Sequence, residues 1–237
     1  METKTFIILS FLSTGMLHAQ QNDVPPEAQS GLVNHYFSVA QEHALIYNGK
    51  EYSRYERQTT NHPYLTDNEF REGEVCYKGT VYPGIQMKLD LFRDELVVQS
   101  PNTLYPVVAE KTRIDYIILN GYRIINPSAR NWQKQIGNEY ILLLHDNRYP
   151  VIKKHVITYE EKIDGLSVEA SFRIRERYYV VKENICYPVK SKGTLLKLFP
   201  DKKKELGRYA REQKLNFRKN PEQAFVTIVK QYEALSR

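Results

Sequence analysis

The sequence predicts an α+β fold, mainly an antiparallel β-sheet (a meander or half-barrel) with a C-terminal helical pair packed on it. Three observations carry this. Residues 72–98, EGEVCYKGTVYPGIQMKLDLFRDELVV, alternate apolar and polar positions, with turn residues between the runs. Two later segments, each opening on tyrosine and closing on Tyr-Pro-Val, repeat one hairpin pattern. From Thr194 the apolar spacing changes from two residues to three or four, the period of a helix.

Residues 1–19 have the layout of a secretory signal peptide: one lysine, Lys4, an apolar core over residues 6–12, and a small residue, Ala19, at the end. The core is far short of the ~20 residues that span a bilayer, so a transmembrane anchor is disfavoured. No other stretch is apolar enough to span, so the mature protein is expected to be exported, soluble, and periplasmic or outer-membrane-associated. The expected organisation is a signal peptide over 1–19, a flexible polar lead-in over 20–29, an antiparallel β domain over 30–193 and docked helices over 194–237.

The chain has 18 tyrosines and only 11 glycines, which suits strands whose aromatic rings pack across a sheet while their hydroxyls reach water. There are two cysteines, Cys76 and Cys186. An oxidising compartment permits a disulfide between them, which could add ~4–5 kcal/mol. The alternative is two buried, unpaired thiols.

Taken in order, residues 31–43 space their apolar side chains for a short helix, with Ser30 as its cap. Residues 44–47 and 51–55 flank Asn48-Gly49, a strong hairpin signal. Residues 58–71 read as a loop. In the meander, Lys78-Gly79, Pro83-Gly84 and Arg93-Asp94 are the expected reversals, with Ile85, Met87, Leu89 and Leu91 on the buried face. Asp90 falls on the wetter face. Further strands are expected over 104–108, 114–119 and 122–125, the last two joined by Asn120-Gly121. The Tyr140 and Tyr178 repeats should each form a hairpin, with the proline at an edge or strand start because it cannot donate to a central ladder. Asp201 is the expected cap of a helix over 202–214, whose inner face is Leu206, Tyr209 and Ala210. Asn220-Pro221-Glu222-Gln223 opens the last helix, with Phe225, Ile228, Val229, Tyr232 and Leu235 as its apolar stripe.

The familiar catalytic and cofactor motifs are absent: no GxSxG, HExxH, phosphate-binding glycine loop, CxxC or EF-hand loop. No catalytic, metal or cofactor residue is assigned. Asp90, Asp94 and Glu95 are the best carboxylate cluster, read as a metal or acid/base site or, more plainly, as a solvated turn. His145-Asp146 and His62 with Tyr64 suit turns and loops better than catalysis.

Charge is more informative. Residues 190–220 hold 11 basic and three acidic residues, net +8, against +6 for the whole chain. Lys202, Lys203, Lys204, Arg208, Arg211, Lys214, Arg218 and Lys219 form the candidate basic surface, which would attract an anionic lipid, a glycan or an acidic envelope protein. The plain alternative is a solvated helix face. Export disfavours nucleic acid.

Residues 46–52 (IYNGKEY), the YKGTVYPGIQMKLDLFRDELVV meander, and the closing YPVKSKGTLLKLFPDKKKELGRYAREQKLNF and QAFVTIVKQYEAL segments together resemble a group of uncharacterised secreted proteins of Bacteroidota. The similarity spans residues 44–98 and 178–235. It implies a periplasmic or outer-membrane-associated β-rich protein and carries no catalytic residues. The expected function is therefore that of a non-catalytic binding or interaction protein. The alternatives are a carrier of an apolar ligand, lipid or lipoprotein, in a half-barrel cavity, and a hydrolase without a recognisable motif.

Overall fold

The computed structural model describes residues 45–101, 104–164 and 167–236. The expected signal peptide, lead-in and helix over 31–43 lie outside these residues. The chain forms strands β1 (Lys50–Glu51), β2 (Arg71–Tyr77), β3 (Thr80–Asp90), β4 (Glu95–Val98), β5 (Val107–Val108), β6 (Ile114–Leu119) and β7 (Tyr122–Ile125). After a short helix α1 (Gln133–Ile136) come β8 (Ile141–His145), β9 (Val151–Asp164), β10 (Ser167–Lys182) and β11 (Ile185–Val189). Helices α2 (Lys192–Lys197), α3 (Lys203–Glu212) and α4 (Pro221–Leu235) close the described chain. Among the described residues the eleven strands belong to one open antiparallel sheet, ordered β1-β5-β4-β3-β2-β6-β7-β8-β9-β10-β11.

The tight reversals at Lys78-Gly79, Asn120-Gly121 and Glu183-Asn184 all place both central residues at positive φ, the geometry that matches strand twist in two-residue hairpins. Pro83-Gly84 does not reverse the chain. Both residues lie inside β3 opposite the single residue Glu74, forming a bulge with Gly84 at φ 72°. The Asn48-Gly49 hairpin does not form either. Residues Leu45–Tyr47 make a 3₁₀ turn, and Lys50–Glu51 pair with β5 instead. Gly49 is needed there for room, because a Cβ would collide with the Val108 carbonyl oxygen. The strand expected over 104–108 shrinks to Val107–Val108.

One sheet face carries Val75, Ile85, Met87, Leu89, Leu96, Ile117, Ile124 and Leu142. This layer continues into Val151, Val180 and Val189, which the C-terminal helices cover with Phe199, Leu206, Phe225, Ile228 and Val229. Phe199 stacks on Tyr232 with centroids 4.0 Å apart, and Tyr149 meets both rings edge-on. On the opposite face, Ile141, Leu143, Ile152 and Val181 pack under Trp132 and Ile136.

Ser191 caps α2 through a reciprocal box with Thr194. Asp201 does not cap α3. Pro200 starts a 3₁₀ turn that contains Asp201, and Lys202 occupies the cap position without a side-chain bond. Asn220 likewise makes no side-chain cap to α4, although Pro221 opens that helix as expected.

The β9–β10 hairpin outruns its neighbours. β8 pairs only with residues 151–154 of β9, and β11 only with residues 178–182 of β10, so the outer part is a two-stranded arm. Residues 59–61 strap it down. The Thr60 N–H donates to the Ala170 carbonyl, and the Asn61 side chain both accepts from Phe172 N–H and donates to its carbonyl. Phe172 packs against Tyr55, Phe92 and Tyr159 at centroid distances of 5.2–5.5 Å.

The cysteines do not pair; both are free and buried. Cys76 in β2 and Cys186 in β11 have five strands between them. That is about 29 Å along the sheet, against a Cα ceiling near 7 Å for a disulfide. Burial pushes both thiols up, Cys186 to about 11, and the hydrogen bond that the Cys76 thiol donates to the Asp115 carboxylate adds to its shift. Maleimide should therefore leave the native thiols unmodified and label both in urea without reductant. An unlabelled denatured chain on intact-mass analysis would show that the bridge forms after all.

Candidate functional site

The C-terminal helices turn their apolar side chains, Leu206 and Ala210 of α3 among them, into the core they share with the sheet, which leaves the charged side chains of α3 outward. Lys203, Lys204, Arg208 and Arg211 join Lys192 around a depression of about 690 Å³ floored by Leu196, with Glu205 as the one acid in its lining. Lys192 is fixed there by its ammonium donating to the Gly207 carbonyl at 3.0 Å. Lys202 reaches Glu205 at 3.4 Å, and Arg208 reaches Glu212 at 3.7 Å. Both pairs are exposed, so each contributes little. Lys214, at positive φ, and Lys219 flank the exposed α3–α4 turn. Arg218 goes elsewhere, into a second and larger cleft.

That cleft, of about 900 Å³, lies between the β10–β11 edge and the start of α4. Tyr178, Val189, Phe217 and Phe225 give it apolar walls, and Arg177, Lys190 and Arg218 give it a basic rim. Two groups of nucleophile type line it, but neither is activated. The Cys186 thiol has its pKa pushed up to about 11, and the Ser191 hydroxyl is engaged at the α2 cap.

Two buried polar clusters hold the frame around these surfaces. Asp90 lies on the sheet face opposite Leu89, as expected, but there it is fully buried rather than wet. Its carboxylate accepts from the Tyr52 and Tyr55 hydroxyls at 2.7 Å each and from the backbone N–H of Phe92 and Arg93. Burial and the neighbouring carboxylate push both phenols well above their usual range. In the second cluster the Lys153 ammonium sits between Glu176 at 2.6 Å and Glu222 at 2.5 Å, joining the sheet to the first turn of α4. Burial alone would lower the pKa of Lys153; the two carboxylates outweigh it and raise it. His155 lies beside them, its side chain 7 % exposed, with Nε2 3.8 Å from Glu176. Burial first, then Lys153, pushes its pKa down to about 4, and its Nδ1 has no partner among the described residues.

The carboxylates named from sequence do not form a shared site. Asp94 pairs with Lys111 and accepts from Tyr140 N–H, and Glu95 pairs with Lys50. Burial raises the pKa of Asp94 despite the lysine. His145 and Asp146 diverge as expected, His145 to Glu233 at 2.9 Å and Asp146 to Arg130 at 2.8 Å. His62 stacks on Tyr64. Among the described residues, no three metal-ligating side chains converge and no helix is long and apolar enough to cross a membrane. The sequence reading missed the Lys153–Glu176–Glu222 cluster, and also Arg173, Arg175 and Arg177, whose period-two spacing puts them on one face of β10. Comparison with protein-family models, curated proteins and solved structures finds no match.

Proposed function

We propose that the chain is an exported, non-catalytic interaction protein that docks its α2–α3 face on a polyanionic envelope surface, most simply phosphorylated lipid headgroups. The observation that carries this is the depression where Lys192, Lys203, Lys204, Arg208 and Arg211 gather around a single acid. Exposed cations contribute about 1 kcal/mol each near an anionic membrane surface, so the four exposed ones, Lys203, Lys204, Arg208 and Arg211, acting together suffice for reversible docking. The interaction is screened once the Debye length falls to ~3 Å at 1 M salt. In co-sedimentation, vesicles containing phosphatidylglycerol should retain the protein at low salt, and pure phosphatidylcholine vesicles should not. Charge reversal at Lys203, Lys204, Arg208 and Arg211 should abolish retention. Equal retention of that variant would sink the reading.

A second reading, a carrier, draws on the cleft beside β11, whose volume exceeds the ~300 Å³ that ligand sites need. Its basic rim suits an anionic amphipathic occupant better than a purely apolar one.

A further inference from the structure

Along β10 and β11 the sheet margin carries blocking groups on both sides of one short window. At β11, Pro188 has no N–H to offer, and the Cys186 N–H is taken by the Gln135 side chain. At the outer arm, Ala170 and Phe172 are occupied by Thr60 and Asn61. Strand alternation points the backbone groups of Ile174 and Glu176 to this same margin, between Phe172 and the Tyr178↔Val189 pair. Neither has a backbone partner there among the described residues.

We propose that this window receives an extended acidic segment of a partner protein by antiparallel strand addition, the segment alternating carboxylate and apolar side chains. The backbone of Ile174 and Glu176 supplies the ladder, and the flanking side chains set the sequence it accepts. On one face stand Arg173, Arg175 and Arg177. Arg173 is tied to Glu160 at 2.7 Å, whereas Arg175 and Arg177 are exposed and make no ion pair among the described residues. On the other face Ile174 is 39 % exposed, a place for an apolar cross-strand neighbour. A second copy is a poor occupant. Antiparallel self-pairing centred on Arg175 sets Arg175 against Arg175 and Arg173 against Arg177, which like-charge repulsion opposes. Charge on an edge can be protection alone. Here, however, the cleft with Arg177, Lys190 and Arg218 opens directly beside the window and gives incoming side chains somewhere to go. This surface is separate from the α2–α3 face, so each stands or falls alone.

The test is fluorescence anisotropy on the full chain with a labelled, end-capped Glu-Val-Glu-Val-Glu peptide. In the antiparallel register its valine N–H groups face Ile174 and Glu176. Methylating both valine nitrogens should weaken binding about tenfold or more, as loss of two ladder bonds requires. The Lys-Val-Lys-Val-Lys peptide should not bind wild type, and the exposed double variant Arg175→Glu/Arg177→Glu should reverse that preference. Equal affinity for methylated and unmethylated peptides would reduce the effect to bulk charge and overturn the proposal, as would no binding by either. A concentration-dependent dimer in light scattering that Ile174→Pro abolishes would assign the window to a second copy, which also overturns it.

Discussion

Asp90→Ala is expected to lower the unfolding free energy by about 3–5 kcal/mol, a large part of the 5–15 kcal/mol that holds a typical domain together. Truncation strips the acceptor from four donors at once: two tyrosine hydroxyls and the N–H groups of Phe92 and Arg93. The phenols can turn toward other partners, but the two amides are fixed by the β3–β4 turn. Asp90→Asn should cost far less. Its carbonyl oxygen can still accept from the amides, and its NH₂ can donate to hydroxyls that turn round. Urea unfolding separates the cases: a midpoint well below wild type for alanine and close to wild type for asparagine. If both variants fall equally, the negative charge itself is what matters, with the Arg93 guanidinium, stacked 4.2 Å from the Tyr55 ring centroid, as the counter-ion that needs it.

Acid should destabilise the protein earlier than its carboxylates alone would. An unfolded chain protonates His155 near pH 6.5, whereas the native surroundings keep it neutral down to about pH 4. In that interval the unfolded state binds the extra proton, so stability is lost as pH falls through it. From pH 7 to 4.5 the loss is about 2 kcal/mol. Lys153, Glu176 and Glu222 are the charged groups that act on the imidazole. The lowered pKa of Glu176 gives the same sign of effect, but only below the ordinary glutamate range. The raised pKa of Asp94 acts in the opposite sense and offsets part of the acid loss. Urea midpoints at pH 7 and 4.5 should therefore converge in His155→Phe. A His155→Phe protein that loses as much as wild type over this interval would place the effect on other groups.

Features written in local sequence were legible. The meander, the Asn120-Gly121 hairpin, the twin Tyr-Pro-Val hairpins and the α4 stripe each rest on a few neighbouring residues whose side chains decide the outcome among themselves. Features decided by distant partners were not. Asn48-Gly49 has the right turn chemistry, yet β5, more than fifty residues later, claims Lys50 and Glu51. Period-two alternation sends Asp90 to the wetter face correctly, but Tyr52, Tyr55 and Tyr64 arrive from an earlier loop and bury that spot. The basic face of α3 could be read because helix periodicity and composition suffice. The division of its cations could not: four gather with Lys192, and Arg218 turns to a cleft that exists only once β11 and the α3–α4 turn meet. The arginine column on β10 was visible as alternate residues, but its meaning depends on knowing that no neighbouring strand covers that margin.

The covering of Val151, Val180 and Val189 by α4 also dictates an order of events during synthesis. All eleven strands leave the ribosome before Phe225, Ile228 and Val229 do. Until then the finished sheet offers a sticky apolar wall to any neighbouring chain, and a holdase that shields it is needed until the residues after Val189, through Leu235, have followed.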